Sequence, residues 1–501
     1  MKSNIHNNLP LLAYSTLFYV AGLILANSLA FINFPILARG LSTSEFGILD
    51  LFINISILIT ILLAFGIDSA VGRYFHEYKD IEEKKEVIIE GLLIQIIIVA
   101  VIGSVLYSMA GYLLRYVSEE SELLNLLKLS IVLAIFQALL NFALSLLKWT
   151  LHKWEFIFLS VVSAGLGLGF TSIAIYGLNA GLNQVFEFIL FGRALSAAIG
   201  LYLIRKWLYF KMPNFKFIRS LMSYAAPVGI VCVIEVMIPA IERKSILAIV
   251  STEQLGLYAA AAKLVSILAV FIQAFQTAWG PISLSISKQE MVNETYIIIA
   301  KIFVLMMCIS TLLMACFSKQ VLNILVSDRY REAYVLVFPI AMSLSIQSIG
   351  LITGMGIYIL KQSKYQLLCY LLFAATSVFL IYYMTNRLGI IGTSIAILLA
   401  SIFKTIIVSI FSHHLYPINW PYKVIILVLS YSFIIGIILI ILQKHYGIFI
   451  TGVYIFTSSV ALIYGFWIIA LSNYERLECI KLMKEASESI WAKKNGTKFK
   501  G

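Results

Sequence analysis

Apolar runs of about twenty residues or more follow one another along almost the whole chain, and that repetition leaves few folds open. Each run is long enough to cross the roughly 30 Å hydrocarbon core of a bilayer as a helix. They fall at residues 10–34, 46–68, 91–112, 123–147, 156–177, 182–204, 220–249, 255–279, 296–318, 334–360, 366–385, 389–411, 423–442 and 447–471. In lipid an unpaired backbone N–H or C=O finds no water, so such runs form helices, which keep their hydrogen bonds inside the segment. The sequence therefore predicts an all-α integral membrane protein of about fourteen transmembrane helices. Composition agrees. The 501 residues are 61% hydrophobic and 12% charged, where a soluble domain is about half apolar and a quarter charged. The first run is too long for a signal-peptide core and no small-residue cleavage site follows it, so it reads as a permanent helix.

The net charge of +12 would suggest nucleic acid in a soluble protein. Here Lys and Arg sit mainly between apolar runs, where they set orientation. With a cytoplasmic N-terminus, about 23 of them fall inside and about 7 outside. The bias predicts both termini in the cytoplasm and an even number of spans. The charged stretch 72–90 reads as a cytoplasmic helical turn. The basic tail from residue 472 onward is expected either to lie on the anionic inner leaflet or to fray. The five cysteines have no metal-ligand or CxxC spacing and read as small hydrophobes. Neither a metal site nor a cofactor is expected.

The chain repeats itself at a spacing of about 209 residues. Leu41-Ser42-Thr43-Ser44-Glu45-Phe46-Gly47-Ile48 aligns with Val250-Ser251-Thr252-Glu253-Gln254-Leu255-Gly256-Leu257. Both segments join a long helix to the next. A six-helix period returns the chain to the same side of the membrane, so the halves share one orientation about an axis along the membrane normal. This predicts two pseudo-symmetric six-helix lobes around a central cavity, at residues 1–210 and 211–415, followed by a helix pair at 416–471 and a tail at 472–501.

Ionisable groups inside spans cost roughly 2.5–3.5 kcal/mol on insertion scales, and they normally face a cavity or a partner. Asp68, Glu187 and Asp50 lie near helix ends, and Lys128 and Lys301 are expected to snorkel. Arg193, Glu235 and Lys263 lie deeper. Glu235 and Glu242 share a face of one helix, which Pro227 and Pro239 are expected to bend. Glu235, Glu242, Asp50 and Pro239 are thus candidates for ion coupling or gating; alternatively, Glu242, Arg243 and Lys244 pair with each other and their neighbours. At the repeat spacing Asn33 falls on Glu242 and Asn54 on Lys263, while Arg193 and Lys404 match with a slip of a few residues. Arg193, Lys263, Lys404, Arg243 and Lys244, with Asn33 and Asn54, are expected to line the cavity and give it a basic cast. A basic cavity suits an anionic cargo such as a diphosphate.

Several segments, in this order, carry a resemblance: ILARGLSTSEFGILDLF, RYFHEYKDIEEKKEVI, ERKSILAIVSTEQLGLYAAAAKLV, ILVSDRYREAYVLV and RLGIIGTSIA. Together they resemble the multidrug/oligosaccharidyl-lipid/polysaccharide exporter superfamily, in its polysaccharide or O-antigen flippase branch. Glu242-Arg243 stands where that branch often has an Asp-Arg pair. The resemblance implies a V-shaped inner-membrane transporter working by alternating access. Its cargo would be a polyprenyl-diphosphate-linked oligosaccharide, turned from the cytoplasmic to the outer leaflet. Its partners would include membrane lipids, H+ or Na+ as coupling ion, and other polysaccharide-assembly proteins, with no nucleic acid.

Three rivals remain. A drug/cation antiporter of the same fold would want an acid-rich site. A peptidoglycan lipid-precursor flippase is poorly separated by sequence. A membrane glycosyltransferase or polysaccharide polymerase would need a sizeable extramembrane region, and the loops here are short. The chain has no GxxxxGK[ST] motif. The pair His413-His414 reads as interfacial. A transporter, not an enzyme, is expected.

Overall fold

The computed structural model describes residue 22 and residues 24–476, except 79, 119, 209–214, 287–291, 361 and 472–474. The described residues are helical almost throughout, with no strand among them. Twelve of the helices are long and apolar enough to cross a membrane, and a shorter apolar helix, α1 (Ile24–Gly40), precedes them. The fourteen expected spans differ from twelve for two local reasons. Residues ahead of α1 lie outside the described ones, and two expected spans fall within one long helical element at Ser363–Leu415.

The first lobe follows α1 with α2 (Thr43–Ala64), α3 (Ile67–Glu77), α4 (Ile81–Ser108), α5 (Ala110–Val117), α6 (Leu124–Trp149), α7 (Lys153–Ser172) and α8 (Leu182–Ile204). The second holds α9 (Phe215–Ile249), α10 (Thr252–Ile286), α11 (Val292–Leu325), α12 (Tyr334–Thr353), α13 (Met355–Ile359) and α14 (Ser363–Leu415). The final pair, α15 (Tyr422–His445) and α16 (Ile448–Gly465), packs on α11.

α14 is a hairpin. Gly389 breaks it with φ 61° and ψ −142°, a conformation open only to glycine. The hydroxyls of Thr385 and Thr393 lie 2.8 Å apart, whereas eight residues of straight helix rise about 12 Å. The chain therefore doubles back at Gly389. Other boundaries shift for equally local reasons. α1 runs past Pro35 to Gly40, although a helix usually ends before proline. α2 stops at Phe65, which adopts a left-handed φ of 39°. α4 begins at Ile81, so its charged first turns are helical.

The repeat at 209 residues is built from helix starts. Ser42 caps α2, with its Oγ accepting from Glu45 N at 3.2 Å and its own N–H donating to Glu45 Oε2 at 2.9 Å, a reciprocal capping box. Ser251 caps α10 by the first of these two bonds, its Oγ accepting from Gln254 N at 3.2 Å. One turn later Gly47 and Gly256 meet. A Cβ on Gly47 would lie 2.5 Å from Gly256 N and 2.9 Å from the Thr252 carbonyl oxygen. A Cβ on Gly256 would overlap the Thr43 carbonyl oxygen. Thr43 and Thr252 are themselves repeat mates, so the contact is reciprocal, as a two-fold requires.

Beyond this crossing lie the cavities, one walled mainly by α1, α2, α6 and α8 and the others by α9, α10, α12 and α14. Two contacts seal the crossing end. Arg39 of α1 donates to the carbonyls of Leu325 at 2.9 Å and Val326 at 3.0 Å, capping the end of α11. The rings of Phe46 and Tyr330 meet edge to face at 5.8 Å. At the other end of α2, Gly66 packs against the backbone of Ala225 and Gly229 in α9. Lys301 does not snorkel: it is buried in α11 and grips both oxygens of Glu475, at 2.7 and 2.9 Å. Of the expected tail segment, all but Glu475 and Arg476 lies outside the described residues.

Candidate functional site

One turn past the Gly47–Gly256 crossing, Asp50 of α2 points into the interface between the lobes and is 1% exposed. Arg243 of α9 donates from Nε to Asp50 Oδ2 at 2.9 Å and from Nη1 to Glu242 Oε2 at 3.0 Å. Tyr258 of α10 completes the group, its hydroxyl donating to Glu242 Oε2 at 2.8 Å. Lys263, a turn and a half further along α10, lies 3.7 Å from Asp50 Oδ1 and is 40% exposed. Two carboxylates thus face two cations. Such burial is tolerated only when the charges are paired and hydrogen-bonded.

Three connected spaces lie beyond this cluster. The first, about 410 Å³, sits in the first lobe and is walled by Asn33, Asp50, Gln137, Asn141, Arg193 and Lys263. The central space, about 1010 Å³, separates α1 from α10 and takes in Asn27, Ser28, Glu235, Ser266, Gln273 and Lys404. Lys263 borders both. A side chamber of about 450 Å³ continues from the central space at Glu235, Gln276 and Leu351.

The expected site residues separate into two sets. Arg193, Lys263, Lys404, Asn33, Glu235 and Asp50 face these spaces. Arg193 donates from Nη1 to Ser163 Oγ at 3.0 Å. Lys404 stands over the rings of Tyr370 and Phe373, at 4.1 and 4.7 Å from their centroids, a cation–π arrangement. Glu235 accepts from the Tyr370 hydroxyl at 3.4 Å. Arg243, Glu242 and Lys244 border none of the three spaces, and the Arg243 guanidinium is consumed by Asp50 and Glu242. Asn54 donates to the backbone carbonyl of Asp50 at 2.7 Å. Pro239 offers its carbonyl to Arg243 Nη1 at 3.3 Å, and its missing N–H leaves the Glu235 carbonyl without its usual helical donor. His413 Nδ1 lies 3.2 Å from the Ile418 carbonyl oxygen.

Charge and the repeat point to Arg193, Lys263, Lys404, Asn33 and Asn54, but not to the other neutral polar side chains. Gln137, Asn141, Gln273, Gln276 and Gln347 all lie within spans and line the spaces. An amide in a bilayer also needs a partner, so the reasoning that singled out Arg193 would have found them. Nothing in the sequence pairs Asp50 with Arg243, 193 positions away.

The profile of a family described as polysaccharide biosynthesis protein matches residues 12–287. No curated protein matches the chain. Among solved structures, the fold is similar to that of the lipid II flippase MurJ in an inward closed conformation, with a TM-score of 0.70 and 14% identity over 90% of this chain and 99% of that one. It is also similar to an inward-facing multidrug resistance MATE family transporter of the MOP superfamily, with a TM-score of 0.67 and 14% identity over 78% of this chain and 97% of that one. A mutant of the Vibrio cholerae MATE transporter VcmN aligns with a TM-score of 0.58 and 17% identity over 82% of this chain and 97% of that one. These likenesses show that the chain shares the fold of those proteins, and the profile match covers more than half of the chain. The chain belongs to the polysaccharide biosynthesis protein family.

Proposed function

We propose that this protein is a flippase for a polyprenyl-diphosphate-linked oligosaccharide, carrying the sugar and diphosphate through the space between its lobes while the polyprenyl tail stays in lipid. The observation that carries the reading is the state of two cations. Arg193 on α8 and Lys404 in the second arm of α14 occupy matching helices of the two lobes. Each is held by neutral groups: a serine hydroxyl for Arg193, two aromatic rings for Lys404. The charge of Arg193 is left for something in the cavity, and Lys404 shares the central space with the carboxylate of Glu235. Lys263 adds a third cation on the shared wall, half neutralised by Asp50. A diphosphate satisfies such a set, whereas a cationic drug would be repelled by it.

Ion coupling has one better placed candidate. Asp50 is committed to Arg243, while Glu235 faces the central space and is held by a tyrosine hydroxyl. With a cytoplasmic N-terminus, the crossing of α2 and α10 lies at the outer face and the spaces open inward, toward the leaflet where such lipids are assembled. An anion leaving a negative interior also gains about 2.3 kcal/mol per charge per 100 mV.

The test is depletion of the protein in its host, with polyprenyl-diphosphate-linked saccharide measured in each leaflet of the inner membrane. Accumulation in the cytoplasmic leaflet, relieved by the intact gene and not by Arg193→Ala or Lys404→Ala, is the expected result. Unchanged leaflet distribution in a host without a second flippase refutes the reading.

A further inference from the structure

Asp50 commits only one of its two oxygens. Oδ2 accepts from Arg243 Nε at 2.9 Å, whereas Oδ1 is buried with no hydrogen-bond partner among the described residues. What faces Oδ1 is Lys263 Nζ at 3.7 Å, close enough to attract and beyond the roughly 2.7–3.2 Å of an N–H···O bond. Asp50 is enclosed, while Lys263 is 40% exposed and borders the first-lobe and central spaces alike.

The first-lobe space, about 410 Å³, brings Asp50, Arg193 and Lys263 together. A diphosphate that reaches Arg193 and Lys263 therefore competes with Asp50 for one ammonium. It competes well, because it offers several charged oxygens for direct hydrogen bonds, where Asp50 offers one oxygen at ion-pair distance. The pair also joins the lobes. Asp50 lies on α2 and Lys263 on α10, the helices that cross at Gly47 and Gly256, so their approach depends on that end being closed.

Charge gives the pair a task. Among the described residues, three cations (Arg193, Lys263 and Lys404) and two carboxylates (Asp50 and Glu235) border the three spaces. Three less two leaves the empty cavity at +1, and without the carboxylates it would stand at +3. Closing helices around unpaired charge is costly. A carrier that has released an anion therefore needs another anion in its place before the lobes close again.

Building on the diphosphate cargo proposed above, we infer that Asp50 is a built-in counter-anion: it takes Lys263 when cargo has left and yields it when cargo arrives, so that the emptied carrier recloses at the crossing end.

Two assays on the full-length protein test this. Asp50→Asn keeps an oxygen for Arg243 and offers Lys263 no charge. In nanodiscs it is expected to tighten binding of a short-chain prenyl diphosphate about tenfold. In a Lys263→Gln background the same change should leave affinity within twofold. In proteoliposomes, Asp50→Asn should slow net flipping of extracted glycolipid about tenfold. Exchange of labelled for unlabelled glycolipid skips the empty return and should stay within twofold, which also shows that the variant is folded. Should it unfold, Asp50→Asn is compared with Asp50 in a Glu242→Gln and Arg243→Met background, where no other charge of the cluster is buried. The inference falls if Asp50→Asn leaves affinity unchanged or weaker, if the tightening persists in full without Lys263, or if net flipping and exchange drop together. If the unaltered protein binds no prenyl diphosphate, the proposed cargo itself is wrong.

Discussion

Arg243 of α9 and Asp50 of α2 meet at 2.9 Å with only 8% and 1% of their side chains exposed, so a single guanidinium ties one lobe to the other inside the membrane. Removing it would leave Asp50 and Glu242 as neighbouring buried carboxylates. Arg243→Ala is expected to destabilise the protein by roughly 3–5 kcal/mol, the range for breaking a buried pair from one side. Thermal unfolding in detergent reads this directly. Combining Asp50→Asn and Glu242→Gln with Arg243→Met should recover most of the loss, because no charge then remains buried. Equal melting of the single and the combined variant would show that the pair carries no such load.

The glycine crossing predicts a contrast between positions that sequence alone treats alike. Gly256→Ala places a methyl group into the Thr43 carbonyl, so α2 and α10 must part. A loss on the order of 2–3 kcal/mol is expected, as for other overpacked sites. Gly165→Ala and Gly167→Ala meet nothing within 4 Å and should be neutral or stabilising by up to about 1 kcal/mol, since alanine is the better helix former. Melting temperatures of the three variants decide the matter.

Arg39 closes the end at which the lobes cross, by bonding carbonyls at the end of α11. A cation there also answers the negative end of the helix, an effect worth about 0.3–1 kcal/mol. Arg39→Ala should shift the conformational balance two- to fivefold toward separation at that end. Distances between spin labels placed on α1 and α11 would lengthen in the variant. An unchanged distance distribution would reduce Arg39 to a surface residue.

The cations facing the cavity should respond to charge more than to shape. Arg193→Lys keeps the charge but loses the fork that bonds an anion from two sides, so it is expected to retain partial transport. Arg193→Ala should lower the flipping rate at least tenfold. Lys404→Met should act similarly, while Lys244→Ala, away from the spaces described, should leave transport within twofold. Flipping of extracted glycolipid in proteoliposomes provides the rates.

Most of the fold was legible because the bilayer imposes one length on every element. The span expected at 182–204 coincides with α8, and the break expected between 385 and 389 is the Gly389 turn. Errors arose where local chemistry overrode hydropathy. Pro35 stands inside α1, and the charged turns of α4 are helical outside the apolar stretch. The site was legible in part for a similar reason. A charge within an apolar run is visible one residue at a time, so Arg193, Lys263, Lys404 and Glu235 could be named. Whether a charge faces the cavity or a neighbouring helix depends on rotation about the helix axis and on distant partners. Arg243 shows this: its partner Asp50 comes from the other lobe, and the pairing turns an expected cavity cation into an interlobe tie.

The reciprocal approach of Gly47 and Gly256 bears finally on how a carrier avoids leaking. Backbones in van der Waals contact leave no gap for water, and hence none for a hydrated ion or a chain of protons. The glycine contact itself adds little adhesive strength: dispersion contributes only about 0.1–0.2 kcal/mol per atom pair, and the hold between the lobes comes from neighbours such as the Arg243–Asp50 pair one turn away. Larger side chains would interlock and have to be withdrawn at every turnover. Two glycines thus bring the backbones together where the lobes cross and leave the strength of the closure to groups that a change of charge or partner releases.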